Sequence, residues 1–158
     1  VASERAQVAA VFTNRLRAPM RLESDPTIIY GVCKKAPSRC RDGRLVDAQG
    51  HIVAIRQSDM AMNTGYNTYQ IDGLPPTPIC NPGRAALEAT AHPAPSNALY
   101  FVADGSGGHA FAATLAEHQA NVARWRAIET QRLAQEHAEQ ASANPPAPQP
   151  RATTHRTH

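Results

Sequence analysis

Among the side chains able to do chemistry, the densest run in this chain is Tyr66-Asn67-Thr68-Tyr69, two phenols flanking an amide and a hydroxyl. In an extended segment Tyr66 and Thr68 face one side and Asn67 and Tyr69 the other, so one pair or the other addresses a given ligand, not both. Carboxylates are the second resource. Glu4 lies four residues before Val8 and seven before Val11, on the apolar face of a helical pattern, where desolvation would raise a carboxyl pKa toward that of a general acid. An acidic residue in a first turn equally complements the helix dipole. Asp25 stands before Pro26, the pattern of a helix cap rather than of an acid. The seven histidines show no metal-ligand spacing, and His51, His92 and His109 are isolated, so neither metal nor cofactor is expected. Cys33, Cys40 and Cys80 fit neither a repeated zinc pattern nor a fully paired disulfide framework, and read alone they are three small buried thiols.

These groups must be positioned by one domain, since 158 residues are too few for two ordinary cores. Apolar content of 42% and charged content of 18% place most of the chain in the globular range. A net charge of +3 with scattered basic residues and 5% aromatics gives no stacking platform, so no nucleic-acid partner is expected. No run approaches the roughly 18 apolar residues of a membrane span.

The fold class expected is α+β, with mixed helices, a short β-hairpin, a long terminal helix and a disordered tail. Val8, Val11, Phe12 and Leu16 recur at helical spacing after Ser3, predicting a helix over 4–17 with Ser3 either its N-cap or in a turn between two helices. Asp25-Pro26 opens a short helix over 26–32, and 33–57 reads as a loop or irregular hairpin. Tyr66 to Ile71 has the content of an extended segment, stopped by Gly73-Leu74-Pro75-Pro76. Asn81-Pro82-Gly83 caps a helix to about Ala91. Leu99 to Ala103 and His109 to Ala112 form a hairpin across Asp104-Gly105-Ser106-Gly107-Gly108. A helix follows over 114–140, with Leu115, His118, Val122, Trp125 and Ile128 near one face. Residues 142–158, rich in Pro, Arg and His, are predicted to be disordered.

Taken in order, Asn14-Arg15-Leu16, Ser24-Asp25-Pro26-Thr27-Ile28-Ile29-Tyr30-Gly31, Gly65-Tyr66-Asn67-Thr68-Tyr69, Gly73-Leu74-Pro75-Pro76, Asn81-Pro82-Gly83, His92-Pro93, Leu99 to Gly105 and Gly107-Gly108-His109 resemble one family. That family is the YceG-like endolytic murein lytic transglycosylases. The resemblance covers about residues 1–128 and implies that 1–141 is part of a catalytic domain. Family members carry an amino-terminal membrane anchor, a LysM-like region and a catalytic glutamate in a Glu-Lys-Glu-Thr-like segment just before the stretch matching Val1 to Arg5. The chain is therefore expected to start downstream of all three and to hold no catalytic residue of its own, with Glu4 the sole stand-in.

The resemblance implies that one glutamic acid protonates the leaving oxygen of a glycan strand. As carboxylate it then activates the muramic acid C6 hydroxyl, leaving a 1,6-anhydro end. The remaining wall must bind N-acetylated sugar, for which Tyr, Asn, Thr and Arg are suited. Asn14, Thr27, Tyr66, Asn67, Thr68, Tyr69 and His109 are the substrate-binding candidates, while Arg15 either joins them or makes an ion pair, for example to Asp25. Glu23 stands where the family more often has Gln. Peptidoglycan strands and peptidoglycan synthases are the implied partners, the parent protein being anchored at the periplasmic side of the inner membrane. A periplasmic location would permit a disulfide between Cys33 and Cys40, within a segment longer than is usual in the family. The rival expectation for the chain alone is a glycan- or synthase-binding module without activity.

Overall fold

The first helical pattern folds as a 3-10 turn, Ala2–Glu4, running into helix α1, Arg5–Arg17. Ser3 sits inside that turn and its side chain caps nothing, so of the two expectations the turn holds and the N-cap does not. The buried face of α1 centres on Ala10, Val11 and Arg15, and this turns Leu16 out of the stripe to 41% exposure. The computed structural model describes residues 1–143 of the 158.

Helix α2 spans Asp25–Lys35, one turn longer than expected at its end. Ser24, in extended conformation, is its N-cap. Asp25 is the first helical residue, so the expected Asp25 cap is corrected: its carboxylate instead accepts a hydrogen bond from the Tyr69 hydroxyl at 2.8 Å. Cys33, in the last turn, is bonded to Cys40. Beyond a 3-10 turn, Pro37–Arg39, the irregular hairpin pairs β1, Cys40–Arg41, with β2, Arg44–Leu45, and continues to an isolated Val46–Ile52 bridge. This segment is not a surface appendage. Its Leu45 completes the core with Ile28 and Val32 of α2, and burying such side chains stabilises the fold by about 1.5–3 kcal/mol each.

A short helix α3, Gln57–Met60, then carries a fully buried Asp59. Tyr66 to Ile71 is not extended: the amides of Gln70 and Ile71 both donate to the Asn67 carbonyl, closing a turn. The local cause is Asn67, whose side-chain oxygen accepts from the Tyr69 amide and competes with any strand ladder. Helix α4, Arg84–Ala91, has Gly83 of the expected Asn81-Pro82-Gly83 cap as its N-cap and packs on α1.

Strands β3, Tyr100–Ala103, and β4, His109–Ala112, pair antiparallel with Phe101 opposite Phe111. Leu99 lies just outside β3 and donates its amide to Ala112. Helix α5, Leu115–Ala143, packs along this hairpin, giving the α+β architecture expected. It runs through 142–143, and the rest of the predicted disordered tail, 144–158, lies outside the described residues. Among the described residues no helix is long and apolar enough to cross a membrane.

Candidate functional site

Four elements and one turn converge on a cleft of about 350 Å³. Helix α1 contributes Val11, Phe12 and Arg15; the connection into α2 contributes Leu22 to Pro26; Tyr69, Phe101 and His118 close the walls. Arg15 holds these parts together. Its guanidinium donates to the carbonyls of Leu99 (2.6 Å), Arg21 (2.9 Å) and Leu22 (3.3 Å), and to the Glu23 carboxylate at 3.2 Å. The ion-pair partner is thus Glu23, not Asp25. One guanidinium so engaged satisfies backbone acceptors from β3 and from the approach to α2, orienting both toward α1.

Glu23 adopts a left-handed backbone, φ 49°, unusual for a residue with a side chain and worth roughly 1–3 kcal/mol of local strain. The strain is held by the Glu23 amide bonding to the Thr68 carbonyl at 3.2 Å and by the Arg15 contact. It leaves the carboxylate half exposed at the cleft rim. Opposite, burial and then the hydrogen bond to Asp25 raise the Tyr69 phenol above its ordinary pKa, so it stays a neutral donor. His118 stacks on Tyr100 with centroids 5.1 Å apart. Burial, reinforced by the Arg15 charge, pushes its imidazole below the ordinary pKa, and its buried Nδ1 has no hydrogen-bond partner among the described residues. The cleft therefore offers carboxylates, a neutral phenol and a neutral imidazole around the Phe12 and Phe101 rings.

Of the seven substrate-binding candidates Tyr69 alone lines this cleft, together with Arg15, Glu23 and Asp25, which the sequence also drew out. Thr27, Asn67 and Thr68 stand behind it, all but fully buried, with their polar groups engaged. Thr68 Oγ1 accepts from the Ser24 amide at 2.9 Å and lies 2.8 Å from Thr27 Oγ1, so the two threonines tie the turn to the start of α2. The Asn67 amide donates to the Met60 and Met62 carbonyls, each at 2.9 Å. Tyr66 points to the other side of the turn, where Lys34 donates to its hydroxyl at 2.8 Å and Thr77 lies 3.0 Å away. The Lys34 hydrogen bond leads in holding the Tyr66 phenol below its ordinary pKa. Asn14 clamps the carbonyls of Ser96 and Ala98 at 2.8 and 3.0 Å. The alternation that split the four residues into two pairs disappears because the segment is a turn.

Glu4 and His109 meet 105 residues apart in sequence: the Glu4 carboxylate accepts from the His109 amide at 3.2 Å and pairs with its Nδ1 at 2.8 Å. The hydrogen bond from the His109 side chain leads in lowering the Glu4 pKa, which is opposite to what a general acid needs. Phe12, Phe101 and His118 were missed as wall residues because each sits at an apolar periodic position, indistinguishable by spacing from core, and Leu22 because it lies in the connection between two helices, outside any pattern.

The YceG-like family model matches residues 1–124, a range containing every residue that lines the cleft. The chain belongs to the YceG-like family. It is 35% identical over 116 residues to the endolytic murein transglycosylase of Bacillus subtilis strain 168, covering 73% of this chain and 28% of that protein. It is 34% identical over 125 residues to the endolytic murein transglycosylase of Streptococcus pneumoniae strain D39, covering 76% of this chain and 20% of that one. The chain thus spans little more than a quarter, or less, of the curated relatives it matches. A 2.6 Å crystal structure of a yceG-like protein from Listeria monocytogenes superposes with a TM-score of 0.56 at 36% identity, over 71% of this chain and 32% of that chain.

Proposed function

We propose that this chain forms the substrate-binding wall of an endolytic murein transglycosylase, which cleaves nascent peptidoglycan strands to 1,6-anhydro-muramic ends. The observation that carries this is the cleft itself. Its aromatic rings beside donors and acceptors match an N-acetylated sugar, which presents apolar ring faces edged by hydroxyls and amides. Family membership supports the same reaction, since relatives matched over three quarters of the chain are named for it.

In this reading the proton donor is the glutamate of the family's catalytic segment, which none of the described carboxylates of the cleft replaces. The carboxylates here are otherwise committed: Glu23 to Arg15, Asp25 to the Tyr69 hydroxyl, and Glu4 to His109, which keeps it ionised at neutral pH. Tyr69 and His118 stay uncharged and add nothing to the cleft cation, Arg15, which Glu23 already pairs, so they do not draw a nearby catalytic carboxyl toward ionisation. Acting beside a peptidoglycan synthase at the periplasmic face of the inner membrane, the parent limits strand length.

The test is to incubate this chain and an upstream-extended parent with un-crosslinked glycan strands and to analyse the products by mass spectrometry. Anhydro-muropeptides from the extended protein and none from the 158-residue chain are expected. Anhydro ends made by the short chain would move the acid back inside it. No anhydro ends from either protein would reject the transglycosylase assignment.

A further inference from the structure

A second cavity lies at the far end of the β3–β4 hairpin. Its volume is about 280 Å³, and α5 lines it with Trp125, Ile128, Glu129 and Arg132. These four positions follow helical spacing, so they form one face of the helix opposite the hairpin tip. The hairpin side is bare: Gly107, at φ 92°, has nothing within 4 Å of the place a Cβ would occupy, and its left-handed backbone disfavours any side chain. The tip is also fixed. The Asp104 carboxylate accepts from the amides of Ser106 and Gly108, and Glu4 holds His109, which forms the inner wall of this cavity. A loop that lines the cavity with glycines alone, Gly105, Gly107 and Gly108, thus leaves an indole, an imidazole and one charge of each sign around an open space.

We propose, building on the glycan-cleaving function above, that this cavity is an accessory subsite for an N-acetylated sugar of the same strand, with Trp125 as its stacking platform. The indole supplies a flat apolar face for the C–H face of a pyranose, while Arg132 and Glu129 supply a donor and an acceptor for ring hydroxyls. Arg132 is itself ion-paired with Glu136 at 3.6 Å, and with Glu129 beside it this balance of charge favours a neutral, hydroxyl-rich ligand over a polyanion. Continuity with the cleft sets the occupant. Phe101 lines the cleft and meets His109 edge-to-face with centroids 5.4 Å apart, so one aromatic partition separates the two spaces. A polymer lying across that partition reaches both, and binding at two linked subsites raises affinity for long strands above that for a single disaccharide.

Trp125 is the chain's one tryptophan, so intrinsic indole fluorescence reports on its surroundings, this cavity and the adjoining one that it lines with Asn121 and Arg124. Un-crosslinked glycan strands titrated into the wild-type chain are expected to shift the emission saturably, with the affinity obtained by calorimetry. Trp125→Ala is expected to weaken long-strand binding about tenfold, a change of about 1.4 kcal/mol, and to leave binding of one N-acetylglucosaminyl-N-acetylmuramic acid disaccharide unchanged. Calorimetric strand binding with no emission change, or with Trp125→Ala matching the wild type, overturns the subsite and leaves the cleft assignment standing. Absence of any strand binding overturns both. The wild-type titration needs no variant, so a Trp125→Ala chain that failed to fold would not remove the test.

Discussion

Replacing Asp59 with alanine tests how the cleft wall is anchored. The Asp59 side chain has no solvent exposure and accepts from Arg39 at 2.7 and 3.3 Å and from the Arg56 amide at 3.0 Å. Removing one partner of a buried ion pair costs about 3–5 kcal/mol, because the other charge is left unpaired. Arg39 keeps 30% of its side chain exposed, so water recovers part of that loss, and the expected destabilisation of Asp59→Ala is about 2–4 kcal/mol. Against the 5–15 kcal/mol typical of a domain, that is a large fraction. Urea unfolding at neutral pH should show the lower midpoint with an unchanged slope. The pH dependence has a definite sign. The hydrogen bond from Arg39 leads in holding the folded Asp59 pKa below its unfolded value, so the stabilisation is present at neutral pH and disappears as pH falls through the depressed pKa. Asp59→Asn should therefore lose less stability on acidification than the wild type. A useful contrast is Asp72→Ala, which breaks the exposed Arg21–Asp72 pair and should cost under about 1 kcal/mol. Equal effects of the two alanine variants would refute the view that burial makes the Arg39 pair matter.

Three further outcomes follow from the same geometry. Thr68→Val keeps the shape but leaves the Ser24 amide without its acceptor, for a loss of about 1–3 kcal/mol in thermal or urea unfolding. Gly31→Ala places a Cβ 2.0 Å from Thr64 Oγ1 and should cost about 1–3 kcal/mol, partly recovered when Thr64→Gly is added in a double-mutant cycle. Glu4→Gln should flatten the acid limb of the stability–pH curve: the folded Glu4 pKa is depressed, so its contribution is present above the unfolded value and lost as pH falls through the folded one.

Periodicity and turn chemistry made most elements legible. Pro26 marked the opening of α2, the glycines of 104–108 marked the hairpin, and the long helix-forming run marked α5. Tyr66 to Ile71 was misread because β-branched and aromatic content signals a strand, whereas Asn67 turns the chain by bonding its own neighbour's amide. That error carried into the site, since a strand would expose alternate side chains, whereas the turn buries Tyr66, Asn67 and Thr68 and sends Tyr66 and Tyr69 to different cavities. The polar character of 33–57 hid Leu45, which with Val46, Val53 and Ile55 makes the segment part of the core. Arg15 was legible as a candidate, but its partners come from backbone carbonyls and from Glu23, and carbonyl acceptors leave no trace in residue type.

The most direct test of the central claim is calorimetric titration of un-crosslinked glycan strands into the 158-residue chain and its Tyr69→Ala variant, with circular dichroism confirming that both are folded. Saturable binding by the wild type, weakened at least about tenfold in the variant, is predicted because Tyr69 presents its neutral hydroxyl at the cleft. Equal affinity of the two proteins would contradict the assignment of this cleft to the glycan.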